Sequence, residues 1–224
     1  MSTLKVFRHE YKYNISYEEM LRLREKLNDL LEIDRNSSGY MVRSLYFDSI
    51  NDIDYYEKLD GVINRKKIRL RIYDPKTKKV KLELKSKYDY HQQKESLIIT
   101  KEEAEELIKE NYSILLKYKE DVASKIYMIL TTNCYKPKVI IEYKRIAYTT
   151  KNNTRITFDF NIKKSNSVHA FFDKNINYLN ITSPKNIVLE IKFNRFLEPY
   201  ISNILSSYIS NKESVSKYVM GRNI

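Results

Sequence analysis

The sequence predicts an α+β chain built on a closed antiparallel β-barrel of eight strands, with helices packed on its outside. Three observations point there. Strand-like segments are numerous, fall mostly into hairpins, and do not alternate singly with helices, which argues against a doubly wound parallel sheet. Most strands carry charges on one face and apolar residues on the other. Helices with apolar stripes are available to cover the apolar faces from outside, which would turn the charged faces inward.

The elements follow in order. Residues 4–15 read as a strand, with Arg8, Glu10, Lys12 and Asn14 on one face and His9, Tyr11, Tyr13 and Ile15 on the other. Ser16 and Glu19 form a capping box that opens a helix marked by Met20, Leu23, Leu27, Leu30 and Leu31. A strand over 41–48 and a short helix over 51–60, stopped by Gly61, come next. Strands at 64–73, 78–87 and 91–99 follow, the first two separated by the turn Asp74-Pro75-Lys76. Thr100 caps a helix, and a second helix is expected over 113–131. Strands at 138–149 and 154–162 flank the turn at Asn152-Asn153. The polar segment 163–185 has no clear period and reads as loop with at most a short strand. A strand at 187–193, a helix at 197–210 and a short helix in the tail complete the chain. No repeat or linker is visible, so residues 1–224 read as a single domain.

Composition narrows the function. Hydrophobic residues make up 42% of the 224 residues, which is enough for a packed core and too many for a disordered chain. Only three glycines are present, and neither a P-loop nor a dinucleotide-binding fingerprint occurs. The net charge of +12 favours a polyanionic partner, although surface lysines can also reflect compositional bias. One cysteine, Cys134, excludes an internal disulfide or a cysteine-based zinc site. At the end of an apolar run it reads as a packing residue. His9, His91 and His169 form no spaced metal motif. With no apolar leader and no stretch long enough to span a bilayer, a cytoplasmic protein is expected.

The charged faces carry the chemistry. Lys67, Arg69 and Arg71 share a face opposite Ile68, Leu70 and Ile72. Lys81, Glu83, Lys85 and Lys87 oppose Val80, Leu82 and Leu84. Gln92, Lys94 and Ser96 align, as do Tyr143 and Arg145; Arg155, Thr157 and Asp159; and Glu190 and Lys192. For any one strand, a solvated polar face explains this pattern. Together, the charged pairs two residues apart and the helices ready to cover the apolar faces favour an interior of cations. Such an interior persists only if it is wet, paired with acids, or filled by an anion. A linear polyphosphate suits it, because each phosphate offers several acceptors that Arg matches bidentately. Carboxylates among the cations make sense if some hold Mg²⁺ or Mn²⁺. A nucleic-acid partner is not expected, since acids are interleaved with the bases and no nucleic-acid-binding motif is present.

The strands resemble the VTC-type polyphosphate polymerase domain of the CYTH, or triphosphate tunnel metalloenzyme, superfamily. The segments that carry the resemblance are RHEYKY (8–13), VRSLYFDS (42–49) leading into DYYEKLDG (54–61), RLRIY (69–73), LELKSK (82–87) and QKES (93–96). They continue with EYKRIAY (142–148), TRITFD (154–159), LEIKF (189–193) and SKYVMG (216–221). The resemblance implies an eight-stranded tunnel in which the end of a polyphosphate chain attacks the γ-phosphate of ATP and ADP leaves. It assigns Lys12, Arg69, Arg71, Lys85, Lys94, Arg145, Arg155 and Lys217 to basic tunnel positions. It gives Glu190 to the metal, Mn²⁺ or Mg²⁺, and Tyr143 to the phosphates. Glu10, Glu83 and Lys192 join Tyr143 in the substrate-binding set, and their places, like that of Asp159, rest chiefly on strand phase.

Two departures matter. A lysine that eukaryotic members carry just upstream of the SKY-like segment is replaced by Glu213-Ser214-Val215. The first motif keeps Glu10 and Lys12 but has Arg8 where classical CYTH enzymes carry an acid, which favours polymerase over triphosphatase or cyclase. ATP and polyphosphate or pyrophosphate are the expected partners, and moving the product across a membrane would fall to a membrane-protein partner. The alternatives are a tunnel-fold triphosphatase or short-chain polyphosphatase, and a non-enzymatic polyphosphate-binding module.

Overall fold

The computed structural model describes residues 8–89, 91–208 and 215–223. The expected strand start at 4–7, the helix end at 209–210 and the departure at Glu213-Ser214 lie outside these residues. Strands are β1 (Arg8–Ser16), β2 (Glu32–Asp34), β3 (Tyr40–Asp48), β4 (Arg65–Ile72), β5 (Lys79–Tyr88), β6 (His91–Thr100), β7 (Lys136–Thr149), β8 (Arg155–Ser165), β9 (Leu179–Asn180) and β10 (Asn186–Asn194). Helices are α1 (Tyr17–Asn28), α2 (Ile53–Leu59), α3 (Lys101–Ile108), α4 (Asp121–Thr132), α5 (Pro199–Ser206) and α6 (Lys217–Arg222).

The closed eight-stranded barrel is not what forms. The described strands make one ten-stranded sheet in the order β1-β10-β8-β7-β3-β4-β5-β6, with β2 added on β7 and β9 on β8. Among the described residues β1 pairs with β10 and β6 with β5, so the path stays open at both ends. Alternation of side chains fixes which face a residue takes; it carries no information about whether two strands distant in sequence join edge to edge.

Contacts sort the chain into two compact units. The first comprises residues 1–41, 143–162 and 182–216. Its core sets Met20, Leu23 and Leu27 of α1 and Ile201 and Leu205 of α5 against Tyr13, Ile156, Phe158, Leu189 and Ile191 of the strands. The capping box on α1 is present, with Ser16 Oγ accepting from Glu19 N and Glu19 Oε2 accepting from Ser16 N. Pro199 opens α5, where its missing N–H and fixed φ suit the first helical turn.

The second unit comprises residues 42–142, 163–181 and 217–224. Here Ile68, Leu70, Val80, Leu82 and Leu97 pack under Leu107 of α3 and Ile126 and Leu130 of α4. Thr100 caps α3 through a second capping box. The helix expected over 113–131 breaks into a 3₁₀ turn (Tyr112–Lys117) and α4, because Tyr118 takes an extended conformation. The expected loop 163–185 is more ordered: β8 runs on to Ser165, a 3₁₀ turn spans Val168–Ala170, and β9 pairs with β8. Cys134 does not pack. It is exposed and left-handed (φ 47°) just past α4, while Tyr135 beside it is buried.

The α1 and α5 helices of the first unit and α3 and α4 of the second lie on apolar strand faces, while α6 lies on the charged side, against Tyr46 and Lys67. Arg43 is a charge buried on the helix-covered side of β3. Its Nε donates to Glu142 Oε2 at 2.7 Å, and its NH1 donates to the carbonyls of Phe171 and Asp173. Lys163 and Tyr178 also reach Glu142. This ion pair holds the 166–181 segment down.

Candidate functional site

The sequence-derived residues form two clusters, one in each unit. In the second unit, β4, β5 and β6 are paired so that their charged faces fall into rows. Lys67, Lys85 and Lys94 are in register across the three strands. The next row is Arg69, Glu83 and Ser96, and the next is Arg71, Lys81 and Ile98. These three rows thus hold six cations and one carboxylate, Glu83. Like charges directly opposite each other disfavour a sheet.

Glu83 gathers the cations. Arg69 Nε donates to Glu83 Oε2 at 2.7 Å, Arg71 NH1 lies 3.7 Å from the same oxygen, and Lys94 Nζ is 2.7 Å from Oε1. Burial works to raise the Glu83 pKa, but the charges of Arg69, Arg71 and Lys94 outweigh it and hold the carboxyl well below the usual range. Two residues of β3, missed from the sequence, complete the cluster: Tyr46 Oη accepts from Arg69 at 3.2 Å and Ser44 Oγ accepts from Arg71 at 3.2 Å. Ser44 and Tyr46 stand in register with Arg71 and Arg69. Despite its burial, Tyr46 has a lowered pKa, because Arg69, Arg71 and Lys217 place positive charge beside it. Lys217 begins α6.

In the first unit the pattern differs. Pairing sets Glu10 against Lys192 and Lys192 against Arg155, then Lys12 against Glu190 and Glu190 against Thr157. Opposite signs meet between β1 and β10, while Lys192 and Arg155 bring two cations side by side between β10 and β8. Arg145 grips Asp159 with two bonds (2.6 and 2.7 Å) and reaches Glu190 Oε2 at 3.4 Å. Burial disfavours its charge, but Asp159 overrides that and raises the Arg145 pKa further. Tyr143 is buried, with the Arg145 guanidinium 5.4 Å from its ring centre. Lys192 Nζ lies 2.7 Å from Glu190 Oε1 and 3.9 Å from Glu10 Oε2. Lys12 Nζ lies 2.9 Å from Glu10 and donates to the Val215 carbonyl at 3.1 Å. Arg155 is held apart from this network by Asp34 (2.5 Å) and the Tyr40 hydroxyl (3.0 Å), partners that sequence reading missed.

Among the described residues, no group of three His, Cys, Asp or Glu side chains is placed to hold a metal ion. Both Glu190 oxygens already face cations, Lys192 on one side and Arg145 on the other. A divalent ion on Glu190 would therefore have to displace one of these cations from its oxygen. No described helix is long and apolar enough to cross a membrane.

The fold is shared with known structures at low identity. An adenylate cyclase candidate from Bacillus halodurans aligns with TM-score 0.56 and 14% identity, over 94% of this chain and 95% of its own. An adenylyl cyclase candidate from Hippeastrum with a dominant triphosphatase activity gives 0.56 and 14%, over 95% and 94%. A third adenylate cyclase candidate, from Vibrio parahaemolyticus, gives 0.51 and 12%, over 96% and 97%. Comparison with curated proteins finds no match. The family is defined by sequence: the VTC domain model matches residues 7–224, and the chain belongs to the VTC domain family.

Proposed function

We propose that this protein is a metal-dependent phosphotransferase that moves the γ-phosphate of ATP onto a growing polyphosphate chain. The observation that carries the reading is the in-register row Lys67, Lys85, Lys94 beside the Glu83–Arg69–Arg71 cluster. Membership of the VTC family supports it. Phosphoryl transfer passes through a loose transition state, so the protein has mainly to align donor and acceptor and offset charge.

In this reading Glu83 keeps Arg69, Arg71 and Lys94 in place before substrate arrives. Phosphate oxygens then compete for the same N–H donors, and the arginines exchange a carboxylate for a phosphate with little movement. Lys85 and Lys217 add charge to this cluster; in the other unit Lys12 and Arg155 supply charge, and Tyr143 stiffens Arg145. Glu190 is the carboxylate that would hold Mn²⁺ or Mg²⁺. A bound ion there would supply charge that offsets phosphate. No side-chain nucleophile is needed.

Hydrolysis of triphosphate or short polyphosphate is the second reading, favoured by the triphosphatase activity of the Hippeastrum neighbour. Incubation with ATP, Mn²⁺ and a pyrophosphate primer separates the two. Polymer with ADP supports transfer, and orthophosphate without polymer supports hydrolysis. Arg69→Ala and Lys85→Ala should each abolish turnover; full activity in both would overturn the assignment of this face.

A further inference from the structure

The C-terminal helix α6 is seated by contacts that the phosphate site itself does not require. Tyr218 is buried, and its hydroxyl donates to Asp48 Oδ2 at 2.5 Å. Its ring stacks on Tyr46 with centroids 5.2 Å apart. Lys67 Nζ lies 5.5 Å from the centre of the Tyr218 ring. At the far end of the helix, Arg222 pairs with Asp52 at 2.6 Å, Tyr55 bonds to Asn223, and Gly221 presses on Ile141. A Cβ at Gly221 would meet the tip of the Ile141 side chain, Cδ1, at 2.2 Å, so the helix packs directly on that side chain.

Asp48 joins two elements. It is fully buried, and Oδ1 accepts from the N–H of Ser49 and of Asp54 while Oδ2 accepts from the N–H of Tyr55 and from Tyr218. Asp52, at the N-cap position of α2, is left-handed (φ 55°) and makes no side-chain cap. Asp48 therefore does the capping for α2, and the oxygen that accepts from Tyr55 also holds α6.

We propose that Tyr218 and Asp48 are positioning residues for Lys217: by seating α6 they fix that lysine beside the Tyr46–Arg69 pair, so that phosphate binding on the β4–β6 face depends on the docked state of the C-terminal helix. This rests on the phosphate-binding reading of that face. The aromatic stack provides the route. Tyr218 adjoins Lys217 in the helix and bears on Tyr46, which in turn orients Arg69. Lowering of the Tyr46 pKa by Lys217 agrees with that proximity.

The test is calorimetric titration of tripolyphosphate into the wild type, Tyr218→Phe, Lys217→Ala and the double variant. Tyr218→Phe keeps the ring stack and removes only the hydroxyl. It should weaken binding five- to tenfold, and should weaken it no further in the Lys217→Ala background. Arg222→Gln, a half-exposed change at the other end of the helix, should produce a smaller effect with the same dependence on Lys217. It keeps the test decisive if Tyr218→Phe fails to fold. Wild-type affinity in both Tyr218→Phe and Arg222→Gln, or an equal loss with and without Lys217, overturns the proposal. A wild type that binds no tripolyphosphate overturns instead the reading of the face on which it rests.

Discussion

Lys85 of β5 stands directly across from Lys94 of β6, and Lys67 of β4 stands directly across from Lys85. Like charges directly opposite each other disfavour a sheet, and Lys85 is the middle charge of this row. Lys85→Met should therefore leave the ligand-free protein as stable as the wild type, or up to about 1 kcal/mol more stable. It should weaken tripolyphosphate binding by tenfold or more. Urea unfolding and titration of the same sample check both halves, and a destabilised variant with intact binding would contradict the assignment.

Arg145 behaves oppositely. Asp159 is fully buried and Glu190 nearly so, and Arg145 bonds to both. Arg145→Ala strips the bidentate partner from a buried carboxylate and should cost about 3–5 kcal/mol. The unfolding midpoint in urea should fall accordingly, with binding lost as well.

Acid should release the Glu83 cluster. The folded Glu83 pKa lies below its unfolded value, so its contribution to stability is present above the unfolded carboxylate range and is lost as pH falls through that range toward the folded value. Glu83→Gln should be less stable at neutral pH and should flatten the acid limb of a stability–pH profile. An unchanged acid limb would show that Glu83 does not hold the cations.

Asp54 predicts the reverse sign. It is buried on α2, accepts from the Tyr135 hydroxyl at 2.7 Å, and lies 3.5 Å from Lys66 Nζ. Its Oδ2 is buried without a hydrogen-bond partner. Burial outweighs Lys66 and Tyr135 and pushes the carboxyl up to about 7. A raised folded value means that stability is greatest below the unfolded pKa and declines as pH climbs through 7. Asp54→Asn should remove that decline, on the order of a few kcal/mol, in chemical unfolding measured from pH 5 to 8.

Much of this was legible in the sequence. Period-two alternation placed Arg69, Arg71, Glu83 and Lys85 on one face, because Ile68, Leu70 and Ile72 and Val80, Leu82 and Leu84 mark the other; on β6 the signal is weaker, since Glu95 falls on the face opposite Lys94. Ser44 and Tyr46 escaped notice because β3 is buried on both sides, so polarity alternates there without a matching alternation in exposure. Arg43 and Glu142 show the limit of charge as a signal: they are a buried ion pair on the helix-covered side and serve the fold. Two strands, β2 and β9, are three and two residues long and too short to show a period. Barrel closure was misjudged because it depends on edges far apart in the chain.

The central claim is transfer of phosphate from ATP to polyphosphate, and a phosphorus NMR spectrum of the running reaction tests it most directly. With ATP, Mn²⁺-loaded enzyme and a pyrophosphate primer, quenched and chelated before recording, the account predicts ADP and mid-chain polyphosphate resonances growing together in equal amounts. Orthophosphate rising in step with ADP, with no mid-chain signal, would contradict it.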